Sequence, residues 1–122
     1  MACVLVIDDD AISRGMMVCA LERSGFEVVE ACDGIEGVEV ARSRHIDIVV
    51  TDIFMPEQDG LRTIMEIRRD FPDLKIIAVS GGGAVVPTNY LPVAETLGAN
   101  GVLTKPIMPP DLINAVKTLL AS

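Results

Sequence analysis

Five short apolar runs alternate with segments of helical spacing along this 122-residue chain. The runs predict strands over residues 3–7, 26–31, 46–51, 74–79 and 100–104. Strands that alternate with helices form a parallel sheet with helices on both faces. The predicted fold is therefore a single α/β domain over residues 1–122. Because only 3% of the residues are aromatic, its core must be mainly aliphatic.

Helical spacing also predicts which side chains share a helix face. The recurring residues are Ile12, Met16, Cys19 and Ala20 in the first helix, Ile35, Val38 and Ala41 (directed inward) in the second, Leu61, Ile64, Met65 and Arg68 in the third, and Leu112, Ile113, Val116, Leu119 and Leu120 in the last. A glycine-rich loop, GGGAVVPTNY, follows the fourth strand and leads to a further helix predicted near residues 90–97.

Polar side chains stand where four of the predicted strands end. Asp8 and Asp9 follow the first strand, Asp52 the third, Ser80 the fourth and Lys105 the fifth. Parallel sheets of this class bind ligands beyond the carboxyl ends of their strands. A single acid at a strand end is more often solvated and inert, but three further polar strand ends favour a shared functional site.

The acids and the lysine suggest a metal site. Three crowded carboxylates repel one another, and Lys105 together with a bound hard cation would relieve that repulsion. Magnesium prefers oxygen ligands, so Asp8, Asp9 and Asp52, with a backbone carbonyl from the turn after Asp52, suit Mg²⁺. A carboxylate held beside Mg²⁺ and a lysine can attack phosphorus and form an acyl phosphate. The hydroxyl of Ser80 can donate a hydrogen bond to the bound phosphoryl group.

Four motifs in this order, VLVIDDD, VVTDIFMPEQDG, IAVSGG and VLTKP, strongly resemble the receiver (response regulator) domain of two-component signalling. The resemblance covers essentially the whole chain. It implies a flavodoxin-like (βα)5 doubly wound parallel sheet with strand order 2-1-3-4-5. In that order the four strands with polar ends are neighbours.

The resemblance also implies roles for the acids. Asp52 is expected to be the phosphoacceptor. Asp9 and Asp52 are expected to bind Mg²⁺ directly with the backbone carbonyl of Phe54, while Asp8 acts largely through water. We further hypothesise that the Phe54 side chain shields the acyl phosphate from water.

The remaining implied features lie towards the end of the chain. Ser80 and Lys105 are expected to contact the phosphoryl group, and the Lys105-Pro106 bond is expected to be cis. Val102 stands where most receivers carry Tyr or Phe, so the usual coupling through a rotating ring cannot operate in that form. Tyr90 is a candidate substitute for the ring, and a packing residue is the alternative.

The favoured function is a stand-alone receiver that takes a phosphoryl group from a histidine kinase or a histidine phosphotransfer protein. It would then act on a downstream target protein through a surface that the family places on the fourth and fifth helices and the fifth strand. Such a protein is not an enzyme with a separate substrate, although it catalyses its own phosphorylation and dephosphorylation. The alternatives are a phosphorylation-independent interaction module of the same fold and a receiver excised from a larger regulator. An aspartyl phosphatase would need an acid at the position of Phe54.

Composition excludes several other classes. A net charge of −8 argues against nucleic acid and anionic membranes as partners. No apolar run is long enough to cross a membrane, and the N-terminus lacks the basic region of a signal peptide, so a cytoplasmic location is expected. The three cysteines, Cys3, Cys19 and Cys32, lack metal-site spacing and are predicted to be buried reduced thiols. His45 is the single histidine, which excludes a histidine cluster within one chain.

Overall fold

The computed structural model describes residues 1–53, 60–80 and 96–122. Strands and helices alternate within these ranges. In chain order they are β1 (Cys3–Ile7), α1 (Ala11–Arg23), β2 (Glu27–Ala31), α2 (Gly34–Ser43), β3 (Ile48–Asp52), α3 (Gly60–Asp70), β4 (Lys75–Ser80), β5 (Gly101–Thr104) and α4 (Pro109–Leu120). The predictions for Phe54, for Tyr90 and for the glycine-rich loop lie outside the described residues, as does most of the helix predicted near residues 90–97.

The five strands form one parallel sheet in the order β2-β1-β3-β4-β5, which confirms the predicted strand order. All five residues of both β1 and β3 are buried. Strands covered on both faces read as continuous apolar runs, which is why the sequence marked them so clearly. Among the described residues no helix combines the length and the apolar character needed to cross a bilayer.

Two apolar clusters cover the two faces of the sheet. Alternate side chains of a strand point to opposite faces, so Leu5 and Ile7 join α2 and α3 in one cluster, while Val4 and Val6 join α1 and α4 in the other. The sheet is therefore sandwiched between two helical layers, as doubly wound folds require.

Side-chain caps fix where the first two helices begin. The carboxylate of Asp10 accepts hydrogen bonds from the N–H groups of Ile12 and Ser13, at 3.0 and 3.5 Å. Asp33 caps α2 through the N–H of Glu36 at 2.8 Å. Such caps satisfy donors that the first helical turn leaves open. The cap at Asp10 also ends the segment that carries Asp8 and Asp9.

The residues that recur at helical spacing in α1 lie on its outward side. Ile12 is 77% exposed and Met16 61% exposed, whereas Met17 and Leu21 are the buried residues of the helix. Apolar side chains are spread around the whole of α1, so helical spacing permits more than one inward face. Contact with the sheet selects the arc of Met17 and Leu21.

The other helix faces are correct except at two positions. Ile35 of α2 was predicted to point inward but is exposed, and Met65 of α3 was predicted to share a side with Ile64 but is also exposed. Val38 and Ala41 are buried in α2, and Ile64 is buried in α3. In α4 the predicted face is confirmed: Leu112 and Val116 are buried, and the partly buried residues of the same face are Ile113, Leu119 and Leu120.

The cysteines are free thiols, as predicted, but only Cys3 is buried. Cys19 is exposed because it lies outside the buried arc of α1, and Cys32 is exposed because it follows the end of the edge strand β2. The prediction of burial is therefore wrong for these two residues.

Candidate functional site

Strand register brings the polar strand ends together. In the pairing of β1 with β3, Ile7 lies beside Thr51, so Asp8 and Asp52 leave the sheet at the same edge. The register of β4 with β5 places Ser80 beside Thr104, immediately before Lys105. Because the paired parallel strands end at the same level, side chains far apart in sequence meet at the carboxyl edge of the sheet.

Lys105 joins two of the acids directly. Its Nζ donates to Asp8 Oδ2 and to Asp52 Oδ2, each at 3.0 Å. Asp8 is fully buried and Asp52 is only 4% exposed. Burial lowers the pKa of Lys105, but its hydrogen bonds to Asp52 and Asp8 raise it by more, so the net pKa lies above the ordinary value. The ammonium therefore stays charged between the two carboxylates.

Asp9 completes an acidic cluster with Asp8 and Asp52. One carboxylate oxygen from each residue lies within 4.8 Å of the others, and Asp9 is the exposed member. Within the described part of the chain, these three carboxylates and the ammonium of Lys105 together carry a formal excess of two negative charges. Oxygen ligands with this charge suit a hard divalent cation, so the residues present fit Mg²⁺.

Ser80 lies at the same edge. It is 2% exposed, and its backbone carbonyl accepts the N–H of Lys105 at 2.8 Å. This bond continues the pairing of β4 with β5 as far as the lysine, which is followed by the predicted cis bond to Pro106. The contribution of Phe54 falls outside the described residues. The individual roles of Asp8, Asp9, Asp52, Ser80 and Lys105 remain predictions.

Two residues near the site were not singled out from the sequence. Arg14 of α1 donates from Nη1 to the backbone carbonyl of Asp8 at 2.7 Å. Gly60, at the start of α3, packs against the backbone of Asp52 and Ile53 so closely that a Cβ atom would overlap it. The sequence signals are modest: Arg14 is the first basic residue of the chain, and Gly60 belongs to an Asp-Gly pair that is typical of a turn.

An apolar groove lies beside Lys105, between α1 and α4. Its volume is about 790 Å³, and its lining includes Ile12, Met16, Lys105, Pro106 and Ile113. Ile12 and Met16 are exposed residues of α1 that the sequence grouped on one helix face. Here the outward arc of α1 borders the candidate site.

The five-stranded order and the acid–lysine site at the carboxyl edge define a doubly wound α/β protein with a receiver-type site. The response regulator receiver domain model matches residues 4–117. The chain belongs to this family.

The matching relatives include proteins of similar length and proteins that are much longer. The chemotaxis protein CheY of Thermotoga maritima is 36% identical over 93% of this chain and 92% of its own length. The receiver protein CpdR of Brucella abortus is 32% identical over 96% and 95%. The sensor kinase CckA of the same species is 38% identical over 96% of this chain, which spans 12% of the length of CckA. The chain likewise spans 47% of the ycf27 regulator of Cyanophora paradoxa.

Solved structures agree with the fold. The chemotaxis protein CheY4 of Vibrio cholerae has a TM-score of 0.89 at 26% identity, with 98% of each chain covered. A CheY-like receiver from Methanospirillum hungatei has a TM-score of 0.91 at 25% identity, with 99% of this chain and 94% of that one covered.

Proposed function

We propose that this protein is a phosphoacceptor that receives a phosphoryl group on Asp52 from a histidine-phosphorylated partner. The observation that carries the proposal is the contact of Lys105 with both Asp8 and Asp52, beside Asp9. It places a charged ammonium next to a carboxylate that is almost fully buried. The protein is then not an enzyme with a separate substrate, but it catalyses its own phosphorylation and dephosphorylation.

In the transfer, one bond to the protein forms and one bond to the donor breaks. A carboxylate oxygen of Asp52 attacks the phosphorus of a phosphohistidine, the phosphorus–nitrogen bond breaks, and the imidazole leaves with the partner. An ammonium has three N–H donors, so Lys105 can keep its bond to Asp8 while it offers another donor to a phosphoryl oxygen. Ser80, at the end of the neighbouring strand, supplies a hydroxyl to the same group.

Magnesium belongs to this proposal. Asp8, Asp9 and Asp52 would hold the ion, and when bound it would supply positive charge to the oxygens of the phosphoryl group. The fit of the three carboxylates, with their excess negative charge over Lys105, supports the choice of a divalent cation. The protein's own residues bind the ion, orient the acceptor and keep Lys105 charged.

The groove between α1 and α4 is where we expect the phosphoryl donor to dock. A donor that reaches Asp52 must cover the surface next to Lys105, and there the exposed side chains of Ile12 and Met16 offer apolar contact. The donor is a histidine kinase or a histidine phosphotransfer protein, in the cytoplasm. Phosphorylation adds up to about two negative charges at this edge, which would alter the surface offered to a downstream target protein.

Labelling with acetyl phosphate in the presence of Mg²⁺ tests the proposal. Intact-mass spectrometry is expected to show one added phosphoryl group on the parent and none on Asp52→Asn. Asp47→Asn is the matched control, because Asp47 precedes β3 whereas Asp52 ends it, and it should label like the parent. An unlabelled parent, or equal labelling of Asp52→Asn, would refute the proposal.

A further inference from the structure

Every polar atom of Asp8 has a hydrogen-bond partner. Its N–H donates to the carbonyl of Ala31 at 3.2 Å, and its carbonyl accepts from Arg14 Nη1 at 2.7 Å. Its Oδ1 accepts the N–H of Asp10 at 2.9 Å, and its Oδ2 accepts from Lys105 at 3.0 Å. Of these partners, Arg14 is the one whose side chain reaches the main chain between the two acids.

That contact bears on Asp9 through the geometry of the peptide group. The carbonyl of Asp8 and the N–H of Asp9 belong to one rigid plane. A donor that fixes the carbonyl therefore fixes the direction in which the chain enters Asp9. On the far side, Asp10 is held by its N–H bond to Asp8 and by its capping bonds to α1. Asp9 thus lies between two anchored peptide groups, although its own side chain is exposed.

Arg14 is itself held in place. Its backbone N–H donates to the carbonyl of Asp10 at 2.9 Å, and its Nε donates to Glu30 Oε1 on β2 at 3.1 Å. The side chain is only 19% exposed. A guanidinium presents its donors in a planar fork, so one group bridges Glu30 and Asp8 at fixed angles. A lysine could reproduce one of these bonds but not the fork.

We infer that Arg14 is a positioning residue for the metal site: it orients the peptide between Asp8 and Asp9 so that the Asp9 carboxylate faces the position of the cation. The inference rests on the proposed function, in which Asp9 is a ligand of Mg²⁺. Arg14 touches neither the cation nor the phosphoryl group in this role. It acts through the main chain of the acids.

The direction in which Mg²⁺ affinity changes when Arg14 is replaced distinguishes a positioning role from a purely electrostatic one. Arg14 is a cation close to an acidic site, so its positive charge alone opposes the binding of Mg²⁺. If charge were its only influence, Arg14→Met would bind Mg²⁺ more tightly than the parent. A positioning role predicts the opposite, because the carbonyl of Asp8 loses the donor that orients it and Asp9 keeps only the anchored peptide group on its Asp10 side.

Calorimetric titration with Mg²⁺ alone tests the inference. We expect the Kd of Arg14→Met to rise about tenfold, the usual scale for losing a residue that orients a metal ligand, and that of Arg14→Lys to rise less. Arg44→Met is the matched control, since Arg44 also pairs with a glutamate of β2, at 3.2 Å from Glu27, but makes no bond to the acids. Its Kd should stay within about twofold of the parent value.

Labelling by acetyl phosphate at increasing Mg²⁺ gives a second readout. The Mg²⁺ concentration for half-maximal rate should rise in Arg14→Met, while the rate at saturating Mg²⁺ stays within about twofold of the parent. A merely structural role would lower the rate at every Mg²⁺ concentration without moving the midpoint. If circular dichroism shows that Arg14→Met is unfolded, Arg14→Gln replaces it under the same criteria.

A Kd for Arg14→Met equal to or below that of the parent would overturn the inference. This failure is distinct from failure of the proposed function. A parent that binds Mg²⁺ and labels on Asp52, with Arg14→Met unchanged, contradicts the positioning role alone. A parent that neither binds Mg²⁺ nor labels contradicts the proposed function as well.

Discussion

Lys105 Nζ lies 3.0 Å from Asp52 Oδ2, although the two residues are 53 positions apart in the chain. The same nitrogen reaches Asp8 at the same distance. Two carboxylates this deeply buried would repel each other and remain unsolvated without a cation. The single ammonium therefore holds the site together before any metal is bound.

Removing Lys105 should destabilise the fold, and Mg²⁺ should compensate. We expect Lys105→Met to lower the free energy of unfolding by about 3 kcal/mol in EDTA, because it removes the cation that Lys105 places between the buried carboxylates of Asp8 and Asp52. Added Mg²⁺ should recover part of the loss by neutralising the same acids. Urea denaturation with and without Mg²⁺ measures both effects. Lys117→Met, at an exposed position of α4, should change stability by less than about 0.5 kcal/mol. A Lys105→Met protein as stable as the parent in EDTA would contradict this account.

Gly60 should tolerate no side chain, whereas Gly15 should benefit from one. A Cβ atom on Gly60 would overlap the carbonyl oxygen of Asp52 and the Cα of Ile53, and these backbone atoms cannot rotate away. We expect Gly60→Ala to lose about 2 kcal/mol and to label more slowly, since Asp52 must shift. Gly15 lies within α1 with nothing within 4 Å of a Cβ atom, so Gly15→Ala should gain about 0.5–1 kcal/mol. Thermal unfolding measures the stability of both variants. Equal changes in stability for Gly60→Ala and Gly15→Ala would contradict this packing.

Asp47 gives a pH dependence of stability at the opposite edge of the sheet. The hydrogen bond from the N–H of Cys3, at 2.7 Å, lowers the pKa of Asp47; burial raises it, and the bond to His45 lowers it further, so the net pKa is below the ordinary value. A lowered pKa means that the ionised carboxylate stabilises the folded state. That contribution is complete above the unfolded pKa of about 3.9 and is lost as the pH falls through the lower folded value.

Asp47→Asn keeps an acceptor for Cys3 but removes the charge. We expect the parent to be more stable than this variant by about 1 kcal/mol at pH 7, and the difference to shrink as the pH falls below about 4. Urea denaturation of the parent and of Asp47→Asn at pH 7, 5, 4 and 3 measures this difference in stability. A difference that is the same at pH 7 and pH 3 would mean that the charge of Asp47 does not contribute.

The exposed arc of α1 can be tested with a protein donor. We expect Met16→Asp to slow phosphoryl transfer from a histidine-phosphorylated protein at least about fivefold, because one buried apolar contact is worth on the order of 1 kcal/mol or more. Labelling by acetyl phosphate should remain within about twofold of the parent. Met65→Asp is the matched control, since Met65 is also about half exposed (52%) but lies on α3, across the sheet. If both variants slow transfer alike, the donor does not dock at the groove.

The strands and the polar residues that follow them were predictable because their signals are local. Apolar runs such as the one ending in Asp52 mark buried strands, and the acids, Ser80 and Lys105 occupy strand ends in the sequence itself. The strand order came from resemblance to a family, since hydrophobic patterns do not say which strands pair. The sequence therefore placed Asp8, Asp9, Asp52, Ser80 and Lys105 at strand ends, while the contacts among them were not available from the sequence.

The buried faces of the helices were only partly predictable from local sequence patterns. In α4 one arc is clearly more apolar, and Leu112 and Val116 are buried as predicted. In α1 several arcs are apolar, and the sheet buries Met17 and Leu21 while Ile12 and Met16 stay exposed. Arg14 was missed for a related reason, since an arginine on a helix gives no sign that its guanidinium bonds to a main-chain carbonyl of the preceding loop.

By itself, the sequence determined the alternation of strands and helices and the chemistry present at the strand ends, because both depend on residues that are neighbours in the chain. Tertiary structure alone decided that Lys105 bonds to Asp8 and Asp52, that Arg14 holds the carbonyl of Asp8, and which arc of α1 remains open. These features depend on strand register and on helix placement, which are set by packing between distant segments.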